Sequence, residues 1–241
     1  MSKIPDKPQD IFIDLADDYK KVFGSDLVSL IIYGSAAAGF YVKGKSDINL
    51  LVVLTQNGIN RLEDAMDTVK KWMKRRVSVP WVMTGAFINN SLDCYPIEFL
   101  NLKINHVLIH GEDVLTSLQF KPEDLRLQIE KELKGKLVLL RQGYLETEGK
   151  SKHIKELIGR SLMAFISIFN ALIYLKKGSA PPRRRETVKE LAGIYVIDDD
   201  VFLKCIDIKE GKDKFSGDEI VVLFKKYISE VEKIINIVDA L

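Results

Sequence analysis

Two apolar, β-rich runs separated by a short polar segment constrain the fold of this chain more than any other feature of its sequence. The runs span residues 27–33 and 48–54, and both are rich in Leu, Ile and Val. Runs of this length and composition predict buried β-strands. The segment between them opens with Gly34 and Ser35, a pair that ends the first strand. The sequence therefore predicts a strand, a Gly-Ser turn, a polar loop and a second strand in close succession.

The second strand begins with two polar residues on one face. Asp47 and Asn49 flank Ile48, and side chains alternate between the faces of a strand, so Asp47 and Asn49 point one way and Ile48 the other. Polar groups without partners on an apolar strand cost on the order of a few kcal/mol. We therefore expect a ligand, a metal ion or a hydrogen-bond network at this position.

The Gly34-Ser35 turn is suited to binding an anion. Glycine has no Cβ, so backbone amides can approach an anion closely, and the serine hydroxyl can donate a hydrogen bond. A Gly-Ser turn alone is common and is more often structural than functional. Its position shortly before Asp47 and Asn49 is what favours a functional interpretation.

This arrangement resembles the nucleotidyltransferase superfamily that includes DNA polymerase beta and the aminoglycoside nucleotidyltransferases. The signature of that family is an apolar strand, Gly-Ser, a gap, Asp-x-Asp and a second apolar strand, with a third carboxylate on a later strand. This chain carries Gly34, Ser35 and Asp47 at the matching positions, and Glu98 in the segment YPIEFL is the natural third carboxylate. Asn49 stands where the family has its second aspartate.

The resemblance implies a reaction and a set of site residues. In such enzymes the carboxylates hold two Mg²⁺ ions, which bridge the nucleoside triphosphate and activate the acceptor oxygen. The reaction moves a nucleotide monophosphate from an NTP to a hydroxyl of a small molecule or a protein, and ATP is the NTP that we expect. The implied catalytic and metal-binding residues are Asp47, Asn49 and Glu98. The implied nucleotide-binding residues are Gly34, Ser35, Lys45 and Ser46.

Asn49 is the departure from the family pattern. Mg²⁺ is a hard cation that favours charged oxygen ligands, whereas an amide oxygen offers only a dipole. Changing even the partners of metal ligands typically costs about 10- to 100-fold in affinity or activity. Two functions therefore stay open: a transferase impaired by Asn49, and a catalytically inactive nucleotide-binding or regulatory module.

Several other charged residues have both a functional and a structural interpretation. Lys43 and Lys45 lie near the expected triphosphate or are solvated loop lysines. Residues 183–185, three arginines, either contact phosphates or form a solvated helix start. Residues 198–200, three aspartates, resemble a metal cluster but are more typical of the beginning of a helix. Asp93 is either an alternative third carboxylate or a turn residue.

A change in the pattern of the chain predicts two domains. Residues 1–117 alternate helical and extended segments, and residues 118–241 are almost wholly helical. The predicted fold class is α+β: a nucleotidyltransferase-type mixed sheet flanked by helices, followed by a C-terminal helical bundle.

The pattern of apolar residues predicts the following elements. In the first domain, helices are expected over residues 11–23 and 59–76, and further extended segments at 80–83, 97–102 and 107–109. The buried face of the helix over 59–76 is expected to comprise Leu62, Ala65, Met66, Val69 and Met73. In the second domain, the clearest helices are expected at about 122–148, 152–177 and 218–240.

Composition excludes several classes of protein. The chain has 36 Lys and Arg against 34 Asp and Glu, a net charge of +2, which argues against a nucleic-acid binder that depends on phosphate neutralisation. Cys94 and Cys205 are too far apart in sequence for a zinc motif or a disulfide framework, which fits the cytoplasm. The apolar run at 161–175 is shorter than the roughly 20 residues that span a membrane. We expect no membrane partner, and a homodimer through the apolar helices of the second half.

Overall fold

A four-stranded mixed sheet organises the first half of the chain in the computed structural model, which describes residues 4–241. The strands are, in chain order, β1 (Leu27–Tyr33), β2 (Asn49–Leu54), β3 (Trp81–Thr84) and β4 (His106–Gly111). Their order across the sheet is β3-β2-β1-β4. β1 pairs antiparallel with β2 and with β4, whereas β2 and β3 are parallel. The predicted α+β class with a mixed sheet is confirmed.

One face of the sheet packs against helix α1 (Phe12–Phe23). Alternate residues of β1 and β2 belong to this core, together with four residues of α1: Leu30, Ile32, Leu50, Val52, Leu54, Leu15, Ala16, Tyr19 and Phe23. Helix α1 ends at Phe23, and Gly24 follows with a φ of +53°, a backbone conformation that favours glycine. The predicted stop at this glycine is confirmed. The alternation of buried side chains fixes which face of β2 points away from α1.

The helix predicted over residues 59–76 is wrong in its continuity. Of its predicted buried face, Ala65 and Val69 do pack against the core, whereas Leu62, Met66 and Met73 are exposed. The chain forms three shorter elements instead: α2 (Gln56–Ile59), a 3-10 turn (Leu62–Ala65) and α3 (Met66–Met73). Trp72 is buried, whereas Met66 and Met73 are 68% and 51% exposed. Ala65, Val69 and Trp72 follow one another at spacings of four and three residues, so the buried face keeps the helical period but passes through Trp72 instead of Met66 and Met73.

The extended segment predicted at residues 97–102 is also wrong, because it lies in helix α5 (Pro96–Ile104), which follows α4 (Gly85–Asn90). Pro96 stands at the start of α5, where its missing N–H costs no hydrogen bond. The backbone N–H of Ile97 donates to Oε1 of Gln128 at 2.7 Å. This helix start is therefore completed by a residue far along the chain, which the local pattern does not show.

Within residues 120–241, all of which the structure describes, five helices follow one another: α6 (Pro122–Glu146), α7 (Ser151–Lys177), α8 (Arg184–Ile194), α9 (Asp199–Glu210) and α10 (Gly217–Asp239). Helix α7 packs against each of the other four. Apolar residues at helical spacing form the buried faces of the first and last of these helices: Leu125, Ile129, Leu133, Leu137 and Leu140 in α6, and Ile220, Leu223, Phe224, Tyr227, Val231, Ile234 and Val238 in α10. The predicted helical bundle is confirmed.

Helix α7 is long and apolar enough by composition to cross a membrane, but 61% of its apolar window is buried in the protein. Its one buried amide, Asn170, is satisfied on both sides. Nδ2 of Asn170 donates to Oδ1 of Asn101 at 3.1 Å, and Oγ1 of Thr187 donates to Oδ1 of Asn170 at 2.8 Å. Such burial is typical of the core helix of a soluble protein.

The contacts of the chain divide it into two compact units. The first unit is the chain up to Leu92 together with Leu102–Gln119, and the second is Asp93–Asn101 with Phe120–Leu241. The beginning of α5 thus belongs to the second unit and its end to the first. Folding of residues 1–117 and 118–241 as independent domains stays a prediction.

Gly111, at the end of β4, offers a test of the sheet. Its φ is +83°, and an added Cβ would lie 1.9 Å from the carbonyl oxygen of Val28 on β1. Gly111→Ala should therefore lower the free energy of unfolding by at least about 2 kcal/mol, because backbone must move and the left-handed conformation is strained. The measurement is urea unfolding followed by tryptophan fluorescence, since Trp72 and Trp81 both lie in the first unit.

The matched control is Gly85→Ala, in the same unit. Gly85 begins α4, has an ordinary negative φ, and has open space where the Cβ would be. This variant should unfold within about 0.5 kcal/mol of the wild type. Equal stability of the Gly111 and Gly85 variants would contradict the described pairing of β1 with β4.

Candidate functional site

The ends of β1 and β2 bring the Gly34 turn and Asn49 together. Tyr33, the last residue of β1, pairs with Asn49, the first residue of β2. Gly34 follows with φ +72°, and a Cβ placed on it would lie 2.8 Å from Nδ2 of Asn49. Glycine is therefore required at this position for two reasons: the backbone is left-handed, and the Asn49 amide approaches closely.

Beyond Gly34 the chain turns tightly. The backbone N–H groups of Ala37 and Ala38 donate to the carbonyl oxygen of Gly34 at 3.1 and 2.9 Å, and that of Phe40 donates to the carbonyl oxygen of Ser35 at 2.9 Å. The first amides of such a turn have no acceptor within it, so they can bind an anion. Ser35 is half-buried in this turn.

The start of β2 shows the predicted alternation of buried and exposed side chains. Ile48 and Leu50 are fully buried, Asn49 is half-buried, and the side chain of Asp47 is 59% exposed. The prediction that Asp47 and Asn49 point away from the core is confirmed. Asp47 and Asn49 thus begin β2 beside the Gly34 turn.

Arg76, which the sequence analysis did not single out, is ion-paired with Asp47. Its Nη2 lies 2.9 Å from Oδ1 of Asp47. The same Nη2 donates to the carbonyl oxygen of Lys45 at 3.2 Å, and Nε donates to that of Ser46 at 3.3 Å. Arg76 belongs to a run of basic residues that is typical of a solvated helix end, so only the folded structure reveals this contact.

Lys45 and Ser46 lie in the loop that leads to Asp47. The backbone N–H of Lys45 donates to the carbonyl oxygen of Val42 at 3.0 Å, and Oγ of Ser46 accepts from the N–H of Val42 at 3.0 Å. The ammonium of Lys43 donates to Asp6 at 2.5 Å, and this hydrogen bond raises the pKa of Lys43. The loop is therefore held by its own hydrogen bonds, and the charge of Lys43 is already paired.

Glu98 does not lie in the first unit. It is half-buried in the first turn of α5, within the second unit, and its Oε2 accepts a hydrogen bond from Nε2 of Gln128 at 2.7 Å. Its role as third carboxylate stays a prediction. Asp93 lies exposed in a turn, as its structural interpretation expects.

The donor atoms around Asn49 fit one metal ion better than two. Strand β3, the parallel neighbour of β2, carries Trp, Val, Met and Thr and no carboxylate. Among residues 4–241, no three His, Cys, Asp or Glu side chains are grouped to hold a metal. Mg²⁺ is often bound by one or two carboxylates together with substrate phosphates. Asp47, with the amide oxygen of Asn49, meets this requirement for one ion brought in with a nucleotide, but not for a second.

An aromatic pair lies on the same face of the sheet as Asn49. Tyr33 pairs with Asn49, Trp81 pairs with Leu51, and the two rings are 5.7 Å apart between centroids. Burial raises the pKa of the Tyr33 hydroxyl, which therefore stays neutral. Trp81 remains 42% exposed. Sequence reasoning missed this pair because it depends on the register of three strands.

In the second unit, Arg185 and Asp198, which belong to the charged runs at residues 183–185 and 198–200, make structural contacts. Arg185 contacts Asp207 at 2.7 Å and Glu210 at 2.9 Å. Oδ1 of Asp198 accepts from the backbone N–H of Asp200 at 3.1 Å, which caps helix α9. The interpretation of residues 198–200 as the beginning of a helix is confirmed.

Comparison with known proteins identifies the class of fold. No protein-family model matches the chain, and no curated protein matches it. Among solved structures, the chain shares its overall fold with an adenyltransferase, which agrees with the predicted resemblance as far as the fold is concerned. One similar structure is spectinomycin adenyltransferase AAD(9) from Enterococcus faecialis, determined with ATP and spectinomycin. The TM-score is 0.51 at 10% sequence identity, covering 91% of this chain and 99% of that chain.

A double-mutant cycle tests the contact between Gly34 and Asn49. Gly34→Ala should lower the free energy of unfolding by about 1–3 kcal/mol, because its Cβ meets Nδ2 of Asn49 and its backbone is left-handed. In an Asn49→Ala background the loss should fall by at least about 0.5 kcal/mol, since only the backbone strain is left. Urea unfolding of the four proteins measures both values. The same loss in both backgrounds would show that the turn and Asn49 are not in contact.

Proposed function

We propose that this protein binds a nucleoside triphosphate at the Gly34 turn and the start of β2, and that this nucleotide is ATP. The observation that carries the proposal is the contact between Gly34 and Asn49, which places the turn beside Asp47. The nucleotidyltransferase fold supports it, because the structure of similar fold was determined with ATP.

The phosphates would bind where backbone amides and cations are close together. The turn after Gly34 supplies backbone amides and the Ser35 hydroxyl. The loop that contains Lys45 and Ser46 supplies the ammonium group of Lys45. One Mg²⁺ ion accompanying the nucleotide would be held by Asp47 and the amide oxygen of Asn49, where it would neutralise phosphate charge. The widely separated free cysteines, Cys94 and Cys205, fit a cytoplasmic protein.

In the wild-type sequence we propose binding, not rapid transfer, as the function of this site. Asn49 lacks the negative charge that a second ion requires, and the carboxylate of Asp47 is shared with Arg76. The protein would then act as a nucleotide-binding regulatory module. Its affinity for nucleotide would depend on Asp47 and on the turn.

A second candidate is transfer of a nucleotide monophosphate to a hydroxyl of a small molecule. It is favoured by one observation: the likeness to spectinomycin adenyltransferase extends over nearly all of both chains. The helical second unit is thus included in the likeness. For this candidate Glu98 would act as the third carboxylate.

The first experiment asks whether nucleotide binds and where. Calorimetric titration of the full chain with ATP should show one site in the presence of MgCl₂. Asp47→Ala should weaken that binding by at least about tenfold, the usual cost of changing a metal ligand or its partners. No heat of binding for ATP, GTP, CTP or UTP with Mg²⁺ would refute the proposed function.

The second experiment asks whether Asn49 decides between binding and transfer. Asn49→Asp restores the carboxylate that the family pattern has, so release of pyrophosphate from ATP in the presence of a panel of hydroxyl acceptors should rise about 10- to 100-fold over wild type. Labelled ATP identifies the product, and spectinomycin is one member of the panel.

Asn60→Asp is the matched control, because Asn60 is exposed in the same unit and the charge change is identical. It should leave pyrophosphate release at the wild-type level. Rapid transfer by the wild-type protein itself would favour the second candidate over the first.

A further inference from the structure

We propose that Arg76 is an internal counter-cation of the candidate site: it holds Asp47 while no divalent ion is bound and must leave Asp47 when one binds. The inference concerns the same site as the proposed function and rests on it for its biological meaning. Its test, however, needs no nucleotide.

The main chain of Arg76 is fixed directly beside Asp47. The backbone N–H of Ile48 donates to the carbonyl oxygen of Arg76 at 2.8 Å, and the N–H of Ser78 donates to that of Ile48 at 2.9 Å. Ile48 and Val77 form a parallel bridge. The position of Arg76 along the start of β2 is therefore set by backbone hydrogen bonds and not by its charge.

The backbone of Arg76 is also in an unusual conformation. Its φ of +64° is left-handed, which costs free energy for any residue other than glycine and is better tolerated by asparagine. Neither Gly nor Asn stands at this position. An arginine in a strained backbone indicates that its side chain contributes something that those residues cannot.

The side chain of Arg76 contacts three consecutive residues. Its guanidinium donates to the carbonyl oxygens of Lys45 and Ser46 and contacts Oδ1 of Asp47 at 2.9 Å. The planar fork of an arginine suits this arrangement, whereas a lysine ammonium offers a point charge. The two carbonyl hydrogen bonds keep the guanidinium next to Asp47, although its side chain is 34% exposed.

A divalent ion on Asp47 must compete with this guanidinium. Mg²⁺ and Mn²⁺ bind carboxylate oxygens directly, and a positive charge so close to the same carboxylate repels them. Asn49 supplies no charge, so Asp47 is the only one of these two residues that carries a carboxylate. Arg76 already neutralises that carboxylate. The pair therefore raises the concentration of divalent ion that is needed for binding at Asp47. Phosphates would lower that concentration, because they attract the guanidinium away from Asp47.

The test is Mn²⁺ binding to the full chain without nucleotide, measured by the electron paramagnetic resonance signal of free Mn²⁺. Arg76→Asn keeps a residue that tolerates the left-handed backbone and removes the guanidinium. It should bind Mn²⁺ about two- to fivefold more tightly than wild type, the range expected for an exposed ion pair. Arg76→Gly, which adds no side-chain oxygen, should show the same gain.

Lys74→Asn is the matched control, because Lys74 is exposed two residues away and the charge change is the same. Its Mn²⁺ affinity should stay at the wild-type value. Adding Asp47→Asn to Arg76→Asn should abolish the gain, which locates it at Asp47. Circular dichroism melting curves establish that each variant is folded.

An unchanged or weaker Mn²⁺ affinity in both folded Arg76 variants would overturn the inference, and so would an equal gain in Lys74→Asn. If Arg76→Asn fails to fold, Arg76→Gly decides alone, since glycine relieves the backbone strain. Nucleotide titrations with the same proteins keep the two proposals apart. Absence of ATP binding refutes the proposed function, while the Mn²⁺ result stands by itself.

Discussion

The antiparallel pairing of β1 with β2 decides where the other features of the candidate site lie. Its register places Tyr33 opposite Asn49, so the turn that begins at Gly34 meets the Asn49 amide. A slip of one residue would turn Asn49 into the core and expose a leucine or isoleucine. The core beneath the sheet, including Leu50 and Ile32, prevents this slip because both side chains are fully buried.

Charge around Asp47 is balanced differently from the family pattern. A second aspartate would call for a metal ion, whereas Asn49 adds no charge and Arg76 supplies a cation from the protein itself. The pair formed by Asp47 and Arg76 is thus neutral, and neither polar residue at the start of β2 carries an uncompensated charge. A nucleotide site of the kind proposed would therefore have a weaker demand for divalent ions.

Sequence reasoning succeeded where neighbouring residues carry the signal. Alternation at the start of β2 showed that Asp47 and Asn49 face away from the core, and Gly24 marked the end of α1. It failed where distant residues decide. The segment around Glu98 is apolar enough for a strand, but Gln128 completes the start of a helix there. In α3 the buried face passes through Val69 and Trp72 instead of Met66 and Met73, and packing against the core beneath the sheet makes this choice between adjoining faces.

The sequence by itself determined the strand, turn and strand around Gly34 and Asp47, the fold class, and the asparagine at position 49 where the resembled pattern has an aspartate. These follow from periodicity and motif, which are local. Only the tertiary structure decided that Arg76 pairs with Asp47, that Trp81 lies on the face of Asn49, and that Glu98 belongs to the second unit. Each of these depends on contacts between residues far apart in the chain, and the free energy of such contacts leaves no local pattern in the sequence.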